Sequence, residues 1–141
     1  MNNDIIPISD PDKLGFVAGI QAVSTWSHSV NRHNGFWEDL EALKAVASTA
    51  GPGMEAVALR EIVLGRIALI HSEGSEGVEA VRKHPVGTWT STEKDSMVSE
   101  MAGTVVRIMD LCQWLHLPLG EAIIAEINRN EKRGWKHGKQ T

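Results

Sequence analysis

The stretch MEAVALREIVLGRIALIHSEGSEGVEAVRK, residues 54–83, decides the fold. From Ala56 to Ile70 it is apolar on nearly every side, broken only by Arg60, Glu61, Gly65 and Arg66. It holds no proline, and helical spacing describes it better than alternation does. A helix apolar all round belongs in the centre of a bundle, not on its surface. The rest of the chain must therefore supply helices to surround it.

Working outward, Gly and Pro punctuate the chain at DPDK (10–13), NGF (34–36), GPG (51–53), HPVG (84–87) and LPLG (117–120). Between them the segments read as helices. The first starts with Asp10 as cap and Pro11 in the first turn, and runs to about Val30. The second covers roughly Glu38 to Ser48, and the third about Met54 to Lys83. The fourth starts near Thr92, with Asp95 three positions on, and ends near His116. The fifth opens at Pro118 and runs to about Lys132. VGTWT (86–90) is the one weak strand candidate. The expectation is an all-α bundle of about five helices in a single domain, residues 1–141, with loose ends at about 1–9 and 134–141. A chain of 141 residues has little to wrap so apolar a third helix, so a homodimer or homotetramer is expected to complete the bundle.

Composition narrows the function classes. A hydrophobic share of 42% with 23% charged residues is ordinary for a globular chain. The formal charge of −4 argues against a general nucleic-acid surface. The single cysteine, Cys112, excludes an internal disulfide and a cysteine-rich zinc site, and its apolar setting suggests an inert thiol. The polar, acidic start (MNNDIIPISDPDK) does not read as a signal peptide, and no apolar run approaches a bilayer span of roughly 20 residues. A cytoplasmic protein with no membrane partner is the expectation.

The chemistry gathers after the apolar run, at His71-Ser72-Glu73-Gly74-Ser75-Glu76-Gly77-Val78-Glu79. Residues three apart on a helix differ by about 60° and about 4.5 Å, so Glu73 and Glu76 project side by side, with Glu79 next round. Two close carboxylates repel, and a hard cation such as Mg²⁺ relieves them. Glu38 and Glu41 share the spacing, so a solvated acidic face stands beside that reading. On the fourth helix Glu100, Gly103, Arg107 and Asp110 fall within about 80° of one another, opposite an apolar stripe of Val98, Met101, Val105, Met109 and Cys112. Antiparallel packing of helices three and four would bring both acidic patches to one cleft; a surface Arg107 pairing with Glu100 or Asp110 is the alternative. Residues 129–139 carry Arg129, Lys132, Arg133, Lys136 and Lys139 against Glu131 alone. Such a stretch suits phosphate, or simply ends a helix favourably. Trp37 could stack on a base or anchor packing; Trp26, Trp89 and Trp114 read as packing or interface residues. His71, His28, His33, His84 and His116 do not converge on a zinc site.

These residues resemble the MazG-like pyrophosphohydrolases of the all-α NTP pyrophosphatase superfamily. That superfamily carries a glutamate pair, ExxE, on one helix and an ExxD pair on the next. Here Glu73-x-x-Glu76 is the first, and the second begins at Glu100, after residues 77 to 99. RIALIHSEGSEGVEAVRK looks like the first motif helix and EMAGTVVRIMDLCQWLHLPLGEAI like the second. SHSVNRHNGFWED (27–39) is similar to one branch's N-terminal segment, and NRNEKRGWKHGKQ (128–140) to its tail. The resemblance spans about residues 13 to 139. It implies hydrolysis of a (d)NTP to the monophosphate and pyrophosphate, with Mg²⁺, or Mn²⁺, held by Glu73, Glu76 and Glu100. Glu76 or Glu79 would serve as base, and Arg107, Arg133, Lys136, His137 and Trp37 would meet the substrate. Two departures stand out: Gly103 occupies the place of the second motif's aspartate, and Gly134-Trp135 replaces a Pro-aromatic pair. Asp110 shares the face and is a candidate ligand, though it lies about 10.5 Å along the axis from position 103. The alternatives are a nucleotide-binding or regulatory module without turnover, and a helical interaction protein.

Overall fold

The computed structural model describes residues 8–83 and 86–133. Five α-helices account for the described chain: α1 (Asp10–His33), α2 (Glu38–Thr49), α3 (Pro52–Lys83), α4 (Ser91–Trp114) and α5 (Leu119–Glu131). No strand occurs among the described residues, and the VGTWT segment begins as a 3₁₀ turn at Val86–Thr88. The chain is thus all-α, as its periodicity requires.

Local chemistry sets the helix ends. α1 is capped by Ser9, one residue before the expected Asp10, with its hydroxyl oxygen accepting from the Asp12 N–H at 3.3 Å. α4 is capped by Thr90 rather than Thr92, and Glu93 accepts from the Thr90 N–H at 2.6 Å. α1 stops where Gly35 takes φ +80°, and its last carbonyls accept from Gly35 and Phe36. α2 then starts on Glu38, Asp39 and Glu41, acids suited to a helix N-terminus.

The long helices α3 and α4 pack antiparallel. α3 meets α4 along the most extensive interface, with Glu73 beside Gly103 and Gly77 beside Met101. α1 also runs against α4: Gln21 donates to Gln113 at 2.8 Å, and His28 and Asn31 reach Asp110 further up. α2 lies on α3 through Leu40 and Ile62, and α5 folds back on α1, where Gly120 approaches Val17. A Cβ at Gly120 would fall 3.0 Å from the Val17 Cα, so a side chain there would press those backbones apart by a few tenths of an ångström.

The centre of the core is small. Trp37, Ile62 and Leu111 are buried together, with Leu40, Ile70, Trp114 and Leu115 packed around them. α3 is less enclosed than its composition predicts. Val57, Leu64, Ile67 and Val78 are 40–60% exposed and fall within about 80° of one another around the helix. On α4, Val98, Met101 and Val105 form a second uncovered strip within about 60°. Met101 also reaches across to the buried Gly77 of α3. The lower part of the α4 stripe is covered, since Met109 is buried and Cys112 half-buried.

Candidate functional site

The antiparallel α3–α4 pair places the acids of one helix against those of the other, and two adjoining hollows result. The larger, about 430 Å³, lies between the end of α3 and the start of α4. Glu76, Glu79, Lys83, Glu93, Ser96 and Glu100 are among its walls. Glu76 is exposed and Glu100 half-buried. Among the described residues neither carboxylate has a hydrogen-bond or ion-pair partner. Glu79 differs, being paired with Arg82 at 3.4 Å and Lys83 at 3.6 Å.

The smaller hollow, about 170 Å³, sits one turn back along α3. It is lined by Asn31, Phe36, Arg66, Glu73, Gly103, Val106, Arg107 and Asp110. Glu73 is held there by Arg107, whose Nε donates to Oε1 at 2.7 Å with Nη2 at 2.5 Å from the same oxygen. The Glu73 side chain is only 18% exposed. The other oxygen, Oε2, lies 2.5 Å from where a Cβ at Gly103 would stand. The space a side chain at position 103 would take is filled by the Glu73 carboxylate.

Asp110 forms the floor. It is 4% exposed and accepts from three side chains. Asn31 Nδ2 donates to Oδ2 at 2.7 Å, and the Trp37 indole N–H lies 3.0 Å from both oxygens. His28 Nδ1 donates to Oδ1 at 2.6 Å. A buried carboxylate with both oxygens so engaged acts as a structural acceptor, and this candidate ligand stands in the lining of the smaller hollow. Trp37, 1% exposed, is equally committed. Trp114 stacks on it with ring centroids 4.9 Å apart, His28 meets it edge-on, and the Arg66 guanidinium lies 4.1 Å from the ring centroid. Both faces of this candidate stacking residue are thus occupied from within the chain. The neighbouring Phe36 is instead 60% exposed at the rim.

Arg66 is the cation that sequence reasoning passed over. It donates to the Phe36 carbonyl, while its buried Nε has no partner among the described residues. Burial lowers the proton affinity of its guanidinium, with Asp110 opposing and the positive charge of Arg107 reinforcing that effect. It remains a cation across the ordinary pH range. His28 and Asn31 were also missed as site residues. Their i, i+3 spacing in SHSVNRHNGFW puts both on one helix face, a signal that could have linked them. Burial pushes the Cys112 thiol up, in keeping with an inert cysteine.

Other expected residues are not gathered here. Arg133 follows α5 and lies 3.6 Å from Glu126, lining neither hollow. Lys136 and His137 lie outside the described residues. Among the described residues no three His, Cys, Asp or Glu side chains converge closely enough to cage a metal ion. The chain matches no family model, no curated protein and no solved structure.

Proposed function

We propose that this chain is a Mg²⁺-dependent nucleoside triphosphate pyrophosphohydrolase, converting a (d)NTP and water into (d)NMP and pyrophosphate. The observation that carries the reading is the opposition of Glu76 on α3 and Glu100 on α4 across one cleft, with Glu73 a single turn away. The donor set suits a hard divalent cation, because carboxylates on facing helices are the ligands such ions take. Glu76 and Glu100 would hold Mg²⁺ or Mn²⁺, joined by Glu73. When bound, the ion would neutralise triphosphate charge and polarise the reacting phosphoryl group.

The side chains divide the remaining work. Arg107 and Arg66, both on the smaller hollow, would bind phosphate oxygens as cationic donors. Glu76 is the better base, since Glu79 is engaged by Arg82 and Lys83. Its carboxylate would take a proton from the water whose oxygen attacks the α-phosphorus. The bond from that phosphorus to the bridging oxygen then breaks, and pyrophosphate leaves. Phe36, rather than Trp37, offers an aromatic face for the base.

A second reading is favoured by one observation. Glu73 is already neutralised by Arg107 and packed over Gly103, which suits a module that binds nucleotide without turnover. One experiment separates the two. Purified protein is incubated with a panel of dNTPs and NTPs, with and without Mg²⁺, and monophosphate and pyrophosphate are measured. Metal-dependent turnover that drops at least about 100-fold in Glu76→Gln supports the hydrolase. Nucleotide binding without turnover supports the second reading, and binding of no nucleotide sinks both.

The reading includes self-association as a homodimer or homotetramer. Its support is the two uncovered apolar strips, one on α3 and one on α4, beside a core of few buried apolar side chains.

A further inference from the structure

We infer that Arg107 is an internal counter-ion that couples anion binding to cation binding at this site. The inference rests on the metal-binding reading of Glu73, Glu76 and Glu100. Glu73 serves two neighbourhoods. Its carboxylate sits in the smaller hollow, clamped by the Arg107 fork at 2.5–2.7 Å. Glu76, one helical turn away, lies instead in the larger cleft with Glu100. A carboxylate whose charge is met by a guanidinium gains less from a cation, because ligation must first break a charge-assisted pair in a partly desolvated place.

Gly103 makes this arrangement possible. A side chain there would overlap Glu73 Oε2, so glycine is what lets Glu73 swing toward α4 and reach Arg107. The same hollow opens onto Arg66, so an incoming oxyanion meets two guanidiniums. A tetrahedral oxyanion of the phosphate class offers Arg107 a better-matched bidentate partner than one oxygen of Glu73. Once Arg107 turns to the anion, Glu73 is released to join Glu76 and Glu100 around a cation. Each ligand then tightens the other by the same factor, as linkage requires.

The test is direct metal binding by the full chain, read by the electron paramagnetic resonance signal of free Mn²⁺. Sulfate serves as the oxyanion, against chloride at matched ionic strength. In the wild-type protein sulfate should tighten Mn²⁺ by about tenfold, within the usual range of coupling between sites. Arg107→Met should bind Mn²⁺ about tenfold tighter without sulfate and lose the sulfate effect. Adding Glu73→Gln to that variant should remove the gain. Gly103→Ala, a substitution that favours the helix, displaces Glu73 from the other side and should shrink the sulfate effect as well. Equal Mn²⁺ affinity in wild type and Arg107→Met, unmoved by sulfate, overturns the coupling and leaves the metal site standing. Absence of Mn²⁺ binding in every form, with sulfate present, overturns both.

Discussion

A carboxylate at 4% exposure persists only when its oxygens are hydrogen-bonded, and those of Asp110 accept from His28, Asn31 and Trp37. Asp110→Ala would strand three buried or half-buried donors at once. The expected loss is about 3–5 kcal/mol of unfolding free energy, read as a lower urea midpoint. Asp110→Asn should cost less, because its amide oxygen still accepts while its NH₂ opposes a donor. An unchanged midpoint in the alanine variant would show that the network holds nothing together. From sequence, Asp110 was correctly placed on one helix face with Gly103 and Arg107, since a period of 3.6 residues fixes directions around a helix. Its partners were not legible. They stand 73 to 82 positions earlier, and only the antiparallel approach of α1 and the turn after it brings them near.

At the level of the helices, existence was readable and exact ends were not. The pattern of a hydroxyl residue followed three positions later by an acid occurs twice in register, as Thr90 with Glu93 and Thr92 with Asp95. Either pair can cap, and the structure uses the earlier one. At the start of α1 two adjacent residues of capping type, Ser9 and Asp10, compete, and the structure uses Ser9. The end of α4 carries a testable cost. His116 takes φ +54°, its N–H donating to Gln113 O at 3.1 Å and that of Leu117 to Cys112 O at 2.9 Å. α1 ends in the same geometry with Gly35 in the left-handed position. A side chain there is strained by about 1–2 kcal/mol, part of which glycine returns through a freer unfolded chain. His116→Gly should therefore raise stability by about 0.5–1 kcal/mol in a denaturant titration. His116→Ala should give no gain, because alanine keeps the Cβ; a gain equal to glycine's would rule out backbone strain as the cause.

Over the whole molecule the mismatch lies between apolar content and enclosure. The run from Ala56 to Ile70 announced a central helix, yet Leu64 and Ile67 stay 40–52% exposed within one copy. Composition could say that α3 is apolar but not how much of it the other four helices would cover. Sedimentation equilibrium should find a dimer or tetramer, and Val105→Glu, which puts a charge into the uncovered strip on α4, should move the distribution toward monomer. A wild-type chain that sediments as a monomer at every concentration would remove self-association from the account. The stacked indoles of Trp37 and Trp114 tie the start of α2 to the end of α4, 4.9 Å apart and inclined by 24°. Two chromophores that close share their electronic transitions, so the protein carries its own optical gauge. Any rearrangement that parts α2 from α4 will register in near-ultraviolet circular dichroism without an attached dye.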